Sequence, residues 1–126
     1  MSGKYSLKVK THFDAAHYLL HYVGKCSRTH GHRWDVEVEL VGSELEACNL
    51  LIDFSHVKDI LKQCLEDLDH YVLNETLLEA DVSAEFLAKL LYPRLVAYLE
   101  SPAITLKALT IWESPECSVT YTERND

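Results

Sequence analysis

The chain has 126 residues, 48% apolar and 25% charged, which suits one domain, 1–126, with its own core. Its net charge of −8 argues against a nucleic-acid or anionic membrane surface as the main partner, though not against an anionic small molecule in a local pocket. There is no apolar run of about 18 residues that would span a bilayer. Met1-Ser2-Gly3-Lys4-Tyr5 leads into a polar alternating segment rather than a signal-peptide core, so a cytoplasmic protein without a membrane partner is expected. In that compartment Cys26, Cys48, Cys64 and Cys117 are free thiols by default, and Cys64 reads as core filler on a helix.

Residues 5–13 alternate in part, with Leu7, Val9 and Phe13 set against Lys8, Lys10 and His12, and predict a half-buried strand. Residues 33–41 alternate more cleanly. Trp34, Val36, Val38 and Leu40 take one face, and Arg33, Asp35, Glu37 and Glu39 the other. A short apolar run, 50–53, precedes a helix that Asp53 or Ser55 can cap, with Val57, Ile60, Leu61, Cys64, Leu65 and Leu68 on its buried side. A second helix starts after Asp81 or Ser83 and buries Phe86, Leu87, Leu90, Leu91, Val96 and Leu99. Pro93 inside it should kink or break it. Residues 106–113 and 118–122, separated by Ser114-Pro115-Glu116, read as a hairpin. The order ββααββ predicts an α+β fold, a four-stranded antiparallel sheet with two helices on one face. Its two open edges make pairing with other subunits plausible.

Chemistry concentrates between the first two strands. His17, His30 and His32 join Cys26 within sixteen residues. In an extended chain, His30 and His32 leave the same face, so both can reach one metal ion, with His17 as a third nitrogen. Three protein ligands and one open position describe a catalytic zinc rather than a structural one. Cys26 is then either a fourth ligand or a base beside the metal. Lys25 and Arg28 flank it and could meet a phosphate, or could simply be solvated surface cations.

Three other features carry weaker signals. Asp69-His70 ends the first helix, where a carboxylate can orient an imidazole for proton transfer, though a His at a helix end also suits the dipole. Glu113 falls by alternation on the face of Leu109 and Ile111, where a carboxylate needs a partner; a ligand with adjacent N–H donors would suit it, and so would water at a strand end. Ser83, Glu85 and Asp53 are explained by helix capping alone.

Taken together, several segments resemble the 6-pyruvoyl-tetrahydropterin synthase family. They are Phe13-Asp14-Ala15-Ala16-His17, Gly24-Lys25-Cys26 with His30-Gly31-His32, Leu50-Leu51-Ile52-Asp53-Phe54, Leu68-Asp69-His70 with Leu73-Asn74, Ser83-Ala84-Glu85 and Trp112-Glu113. They follow the family's order along nearly the whole chain. The resemblance implies the tunnelling fold, assembled as a homohexamer of two stacked trimers with active sites at subunit interfaces. It implies Zn2+ on His17, His30 and His32, Cys26 as catalytic thiol, His70 held by Asp69 as a second proton-transfer group, and Glu113 as anchor of the pterin ring. The implied substrate is 7,8-dihydroneopterin triphosphate. Only three residues separate Cys26 from His30, a spacing that resembles the family's bacterial, carboxy-forming branch. That branch yields 6-carboxy-5,6,7,8-tetrahydropterin, acetaldehyde and triphosphate on the route to queuosine. The alternatives are the pyruvoyl-forming activity on the same fold, and a non-catalytic zinc- or pterin-binding module.

Overall fold

In the computed structural model, residues 3–123 are described; the ends of the expected domain, 1–2 and 124–126, lie outside them. Strands β1 (Tyr5–His17) and β2 (His30–Gly42) are followed by helices α1 (Phe54–Leu65), α2 (Leu73–Leu77) and α3 (Ala84–Leu99), and then by strands β3 (Thr105–Ser114) and β4 (Cys117–Tyr121). The strands form one antiparallel sheet in the order β1-β2-β3-β4. The expected α+β architecture and the order of its main elements are borne out, with one short helix added.

Alternation decides which face of the sheet is buried. Val9, Phe13, Ala15, Trp34, Val36, Val38 and Leu40 enter the core, while Lys8, Lys10, His12 and Arg33 stay exposed. The outer face fixes the register as well. Lys8 lies opposite Glu39, Lys10 opposite Glu37, His12 opposite Asp35 and Asp14 opposite Arg33. Cross-strand pairs of this kind contribute about 0.2–1 kcal/mol each. A slip of one residue would lose them and turn the apolar set outward.

Helix α1 packs on β1 and on α3, and α3 packs on β3 and β4. Asp53, rather than Ser55, caps α1 by accepting a hydrogen bond from the Ser55 N–H at 2.8 Å. Ser83, rather than Asp81, caps α3 by accepting from the Phe86 N–H at 3.0 Å. The buried stripe of α3 runs through Leu87, Ala88, Leu91, Tyr92, Leu95 and Leu99, which leaves Phe86 and Val96 at its margin. Each fully buried leucine there stabilises the fold by about 1.5–3 kcal/mol relative to exposure.

One local expectation is narrowed and one is corrected. Of the kink or break expected at Pro93, the break does not occur, and helix α3 continues through it. Proline removes the hydrogen bond to the carbonyl four residues back, here that of Lys89. Both Pro93 and Lys89 face solvent, so water can satisfy the freed carbonyl. The first two strands also run further than expected, so the histidines sit on the strand ends themselves rather than in the connection between them.

Candidate active site

His17 ends β1 and His30 begins β2, and the two residues are direct partners in the ladder. His32 follows two residues later on the same face. All three rings therefore leave the core face at one end of the sheet. Trp34, fully buried, packs edge-on beneath them, its ring centroid 4.7 Å from that of His17 and 5.4 Å from that of His32. Its indole N–H donates to the Ala15 carbonyl at 3.2 Å, which fixes this floor. The three imidazole centroids lie 4.4–5.1 Å apart. Glu113 reaches in from β3, its Oε1 3.5 Å from His32 Nε2. One ligand atom from each of His17, His30, His32 and Glu113 lies within 4.8 Å of every other. The fourth member of this set is Glu113, not Cys26.

The ring tautomers follow from their partners. His17 Nδ1 is 2.6 Å from the Val82 carbonyl, and His30 Nδ1 is 2.6 Å from the Arg28 carbonyl. A carbonyl only accepts, so each Nδ1 carries a proton and Nε2 is the atom left to present a lone pair to a metal. His17 Nε2 and His32 Nε2 are buried without a hydrogen-bond partner among the described residues. The 3.5 Å approach of Glu113 to His32 is an ion-pair distance, not an aligned hydrogen bond. An orphaned buried nitrogen costs about 1–3 kcal/mol. Burial pushes the proton affinities of His17 and His32 down, only partly opposed by the Val82 carbonyl for His17 and by Glu113 for both. Neutral imidazoles with converging lone pairs beside a carboxylate are the donor set a borderline divalent cation takes. Carbonyl-held Nδ1–H groups are the outer support such ligands need. The residues fit a metal ion.

A second set of groups forms in the turn after α1. His70 Nδ1 lies 3.0 Å from Asp69 Oδ2. Asp69 Oδ1 accepts from the Asp14 N–H at 2.9 Å, and the His70 N–H donates to the Asp14 carbonyl at 2.5 Å. One residue of β1 thus brackets the pair through its backbone. His70 has a φ of 67°, a left-handed conformation uncommon for a side-chain-bearing residue. The Asp14 N–H, and then His70, hold the Asp69 carboxyl below its ordinary range. The carboxylate lies at ion-pair distance from Nδ1, and the His70 ring is otherwise largely exposed.

Cys26 sits, half-buried, in a single 3-10 turn, Lys25–Ser27, and its carbonyl accepts from the Leu19 N–H at 2.7 Å. The turn begins at Gly24, whose φ of 136° is strained for any residue with a Cβ. Lys25 and Arg28 are exposed beside it. The loop is also tied down at His21. Its N–H donates to Asp81 Oδ1 at 2.9 Å, and its Nδ1 is 2.7 Å from Asp81 Oδ2. Sequence reasoning missed Asp81, Val82 and Arg28 as supports of the site. Two of the three act through backbone carbonyls, which leave no signature in residue type.

Similarity to known proteins agrees with this arrangement. Residues 6–124 match the family model described as 6-pyruvoyl tetrahydropterin synthase. A Bacillus subtilis protein named 6-carboxy-5,6,7,8-tetrahydropterin synthase is 32% identical over 104 residues, which is 77% of this chain and 69% of that protein. A Pyrococcus horikoshii relative is 40% identical over 78 residues, which is 58% of this chain; the match spans only 46% of that relative's length. The structure of Caenorhabditis elegans 6-pyruvoyl tetrahydropterin synthase superposes with a TM-score of 0.84 over 98% of both chains at 23% identity, a likeness of fold. The chain belongs to the 6-pyruvoyl tetrahydropterin synthase family.

Proposed function

We propose that this chain is a zinc-dependent lyase. With uptake of one water, it would convert 7,8-dihydroneopterin triphosphate into 6-carboxy-5,6,7,8-tetrahydropterin, acetaldehyde and triphosphate. The observation that carries the reading is the pair of orphaned, buried Nε2 atoms on His17 and His32, next to His30 and Glu113. The choice of product follows the name of the Bacillus subtilis relative and the short Cys26–His30 spacing.

His17, His30 and His32 would hold Zn2+ through Nε2, with a position left open for substrate. A bound zinc supplies Lewis acidity to the hydroxyls of the substrate side chain. Cys26, as thiolate, takes a proton from that side chain. His70, oriented by Asp69, exchanges a proton with the pterin, whose ring accepts the electron pair. Glu113 accepts from two adjacent N–H groups of the pterin, which fixes the ring beside the three imidazoles. Elimination releases triphosphate, and cleavage of the remaining side chain releases the two-carbon fragment. Lys25 and Arg28 would meet the triphosphate.

The product feeds a route to 7-deazapurines such as queuosine. The working unit would be a homohexamer of single tunnelling-fold domains, each spanning 1–126, in the cytoplasm. Apart from the bonds of Asp14 and Ala16 to the turn after α1, the outer edges of β1 and β4 have no strand partner among the described residues, which supports such assembly.

The test is incubation of zinc-loaded protein with 7,8-dihydroneopterin triphosphate, with products read by mass and acetaldehyde assayed. Acetaldehyde with the 6-carboxy product supports the reading. A 6-pyruvoyl product without acetaldehyde moves the protein to the other branch, and bound pterin without turnover makes it a binding module.

A further inference from the structure

We infer that Asn74 is a positioning residue for the metal centre, acting through His17. This inference rests on the metal reading above. Asn74 lies on α2, is only 4% exposed, and touches no residue of the proposed metal set through its own hydrogen bonds. Its Oδ1 accepts from the Tyr18 N–H at 2.9 Å, while its Nδ2 donates to the carbonyls of Tyr18 at 2.8 Å and Ala80 at 2.9 Å. Only one orientation of the amide satisfies one donor and two acceptors, so the assignment of O and N is fixed by the network.

These three bonds join two segments that meet at the His17 ring. Tyr18 directly follows His17 on the chain. Ala80 lies two residues before Val82, whose carbonyl accepts from His17 Nδ1. The Val82 N–H donates back to the Tyr18 carbonyl at 3.4 Å, and Leu19 pairs with Asp81. Asn74 therefore bridges the strand end that bears His17 and the segment that sets its tautomer. Without that bridge the segments keep the Val82–Tyr18, Leu20–Ala80 and His21–Asp81 bonds but lose the buried amide that closes them, so the Val82 carbonyl is held less tightly against the ring. The ring can then rotate, or carry its proton on Nε2, where it would block a metal. Groups that hydrogen-bond a metal ligand directly, as the Val82 carbonyl does, typically set metal affinity by roughly 10- to 100-fold, and Asn74 acts by holding that group in place.

The experiment compares Asn74→Ala with the wild type and with Tyr92→Phe. The last variant removes another buried hydrogen bond, from the Tyr92 hydroxyl to the Leu106 carbonyl at 2.8 Å. Zinc affinity is read by competition with a chromophoric chelator, and the His17 tautomer of the metal-free protein by long-range 1H–15N spectra. Asn74→Ala is expected to weaken zinc roughly 10-fold or more and to mix the His17 tautomers, while Tyr92→Phe keeps wild-type affinity. Wild-type affinity in Asn74→Ala, or an equal loss in Tyr92→Phe, overturns the inference. If Asn74→Ala does not fold, Asn74→Asp carries the test. It keeps the bond from the Tyr18 N–H but sets a carboxylate oxygen against the Tyr18 and Ala80 carbonyls, so a loss at least as large is expected, and unchanged affinity overturns the inference. A wild-type protein that takes up no zinc overturns the metal reading and this inference with it. A wild type that binds, with variants that bind equally, overturns the inference alone.

Discussion

His17 and His30 face each other directly across the β1–β2 ladder, with ring centroids 4.4 Å apart and each Nδ1 committed to a backbone carbonyl. The strand register, not a flexible loop, therefore sets the spacing of two of the three nitrogens. Removing one of them leaves too few ligands for tight binding. His30→Ala is expected to lose zinc and turnover together, with the fold retained. Metal analysis after dialysis checks this, and retained stoichiometric zinc would remove His30 from the ligand set.

Glu113 stands close enough to His32 to be either a ligand or a substrate anchor. With Glu113 as the anchor, Glu113→Gln should keep zinc affinity within a few-fold. One carboxylate oxygen becomes an amide donor facing pterin N–H groups, which leaves a buried donor–donor clash costing about 1–3 kcal/mol. Substrate binding should weaken roughly 5- to 150-fold, the same energy expressed as an equilibrium. Pterin binding measured by fluorescence beside a zinc titration separates the roles. Loss of zinc with intact pterin binding would make Glu113 a ligand.

Cys26 lies outside the mutually close histidine–glutamate set, on a turn held by backbone bonds. Cys26→Ala should therefore keep zinc and bind substrate, yet lose about 10²–10⁴-fold in kcat, the range expected for a missing proton-transfer group. Single-turnover kinetics on the zinc-loaded variant test this. Turnover at the wild-type rate would take the thiol out of the mechanism.

The His21–Asp81 pair gives the Cys26 loop a pH-dependent tether. Asp81 raises the proton affinity of His21, and His21 holds the Asp81 carboxyl below its ordinary range. The raised histidine contributes fully below its ordinary value of 6.5 and loses its contribution as pH rises through the folded value. The lowered carboxyl contributes fully above its ordinary value of 3.8 and loses it as pH falls through the folded value. The tether is whole between those two ordinary values. The difference in Tm between wild type and His21→Ala should be largest between the two ordinary values and shrink as pH rises through the raised value of His21. A difference independent of pH would rule out the ionic tether.

Much of this site is legible in the sequence because strand geometry is periodic. His30 and His32 share a face two residues apart, whereas Glu113 reaches them from a register irregularity of the β3–β4 ladder. The alternation of Trp34 to Leu40 marks β2 without help from tertiary contacts. What stays hidden depends on long-range closure. The bonds of Asn74 to Tyr18, of His17 to Val82 and of His21 to Asp81 span 56, 65 and 60 residues. Helix α2 has five residues, too few to show a helical period. Pro93 reads as a kink or a break from local rules, and its exposed position on α3 explains why the helix continues through it.

The most direct test of the account is a zinc titration of turnover. Protein stripped by a chelator is given 7,8-dihydroneopterin triphosphate and increasing Zn2+, and acetaldehyde is measured. The account predicts no acetaldehyde without metal and a linear rise that saturates at about one zinc per chain, as three convergent imidazoles require. Acetaldehyde release by the stripped protein, or zinc-restored protein that binds the pterin and releases none, would contradict it.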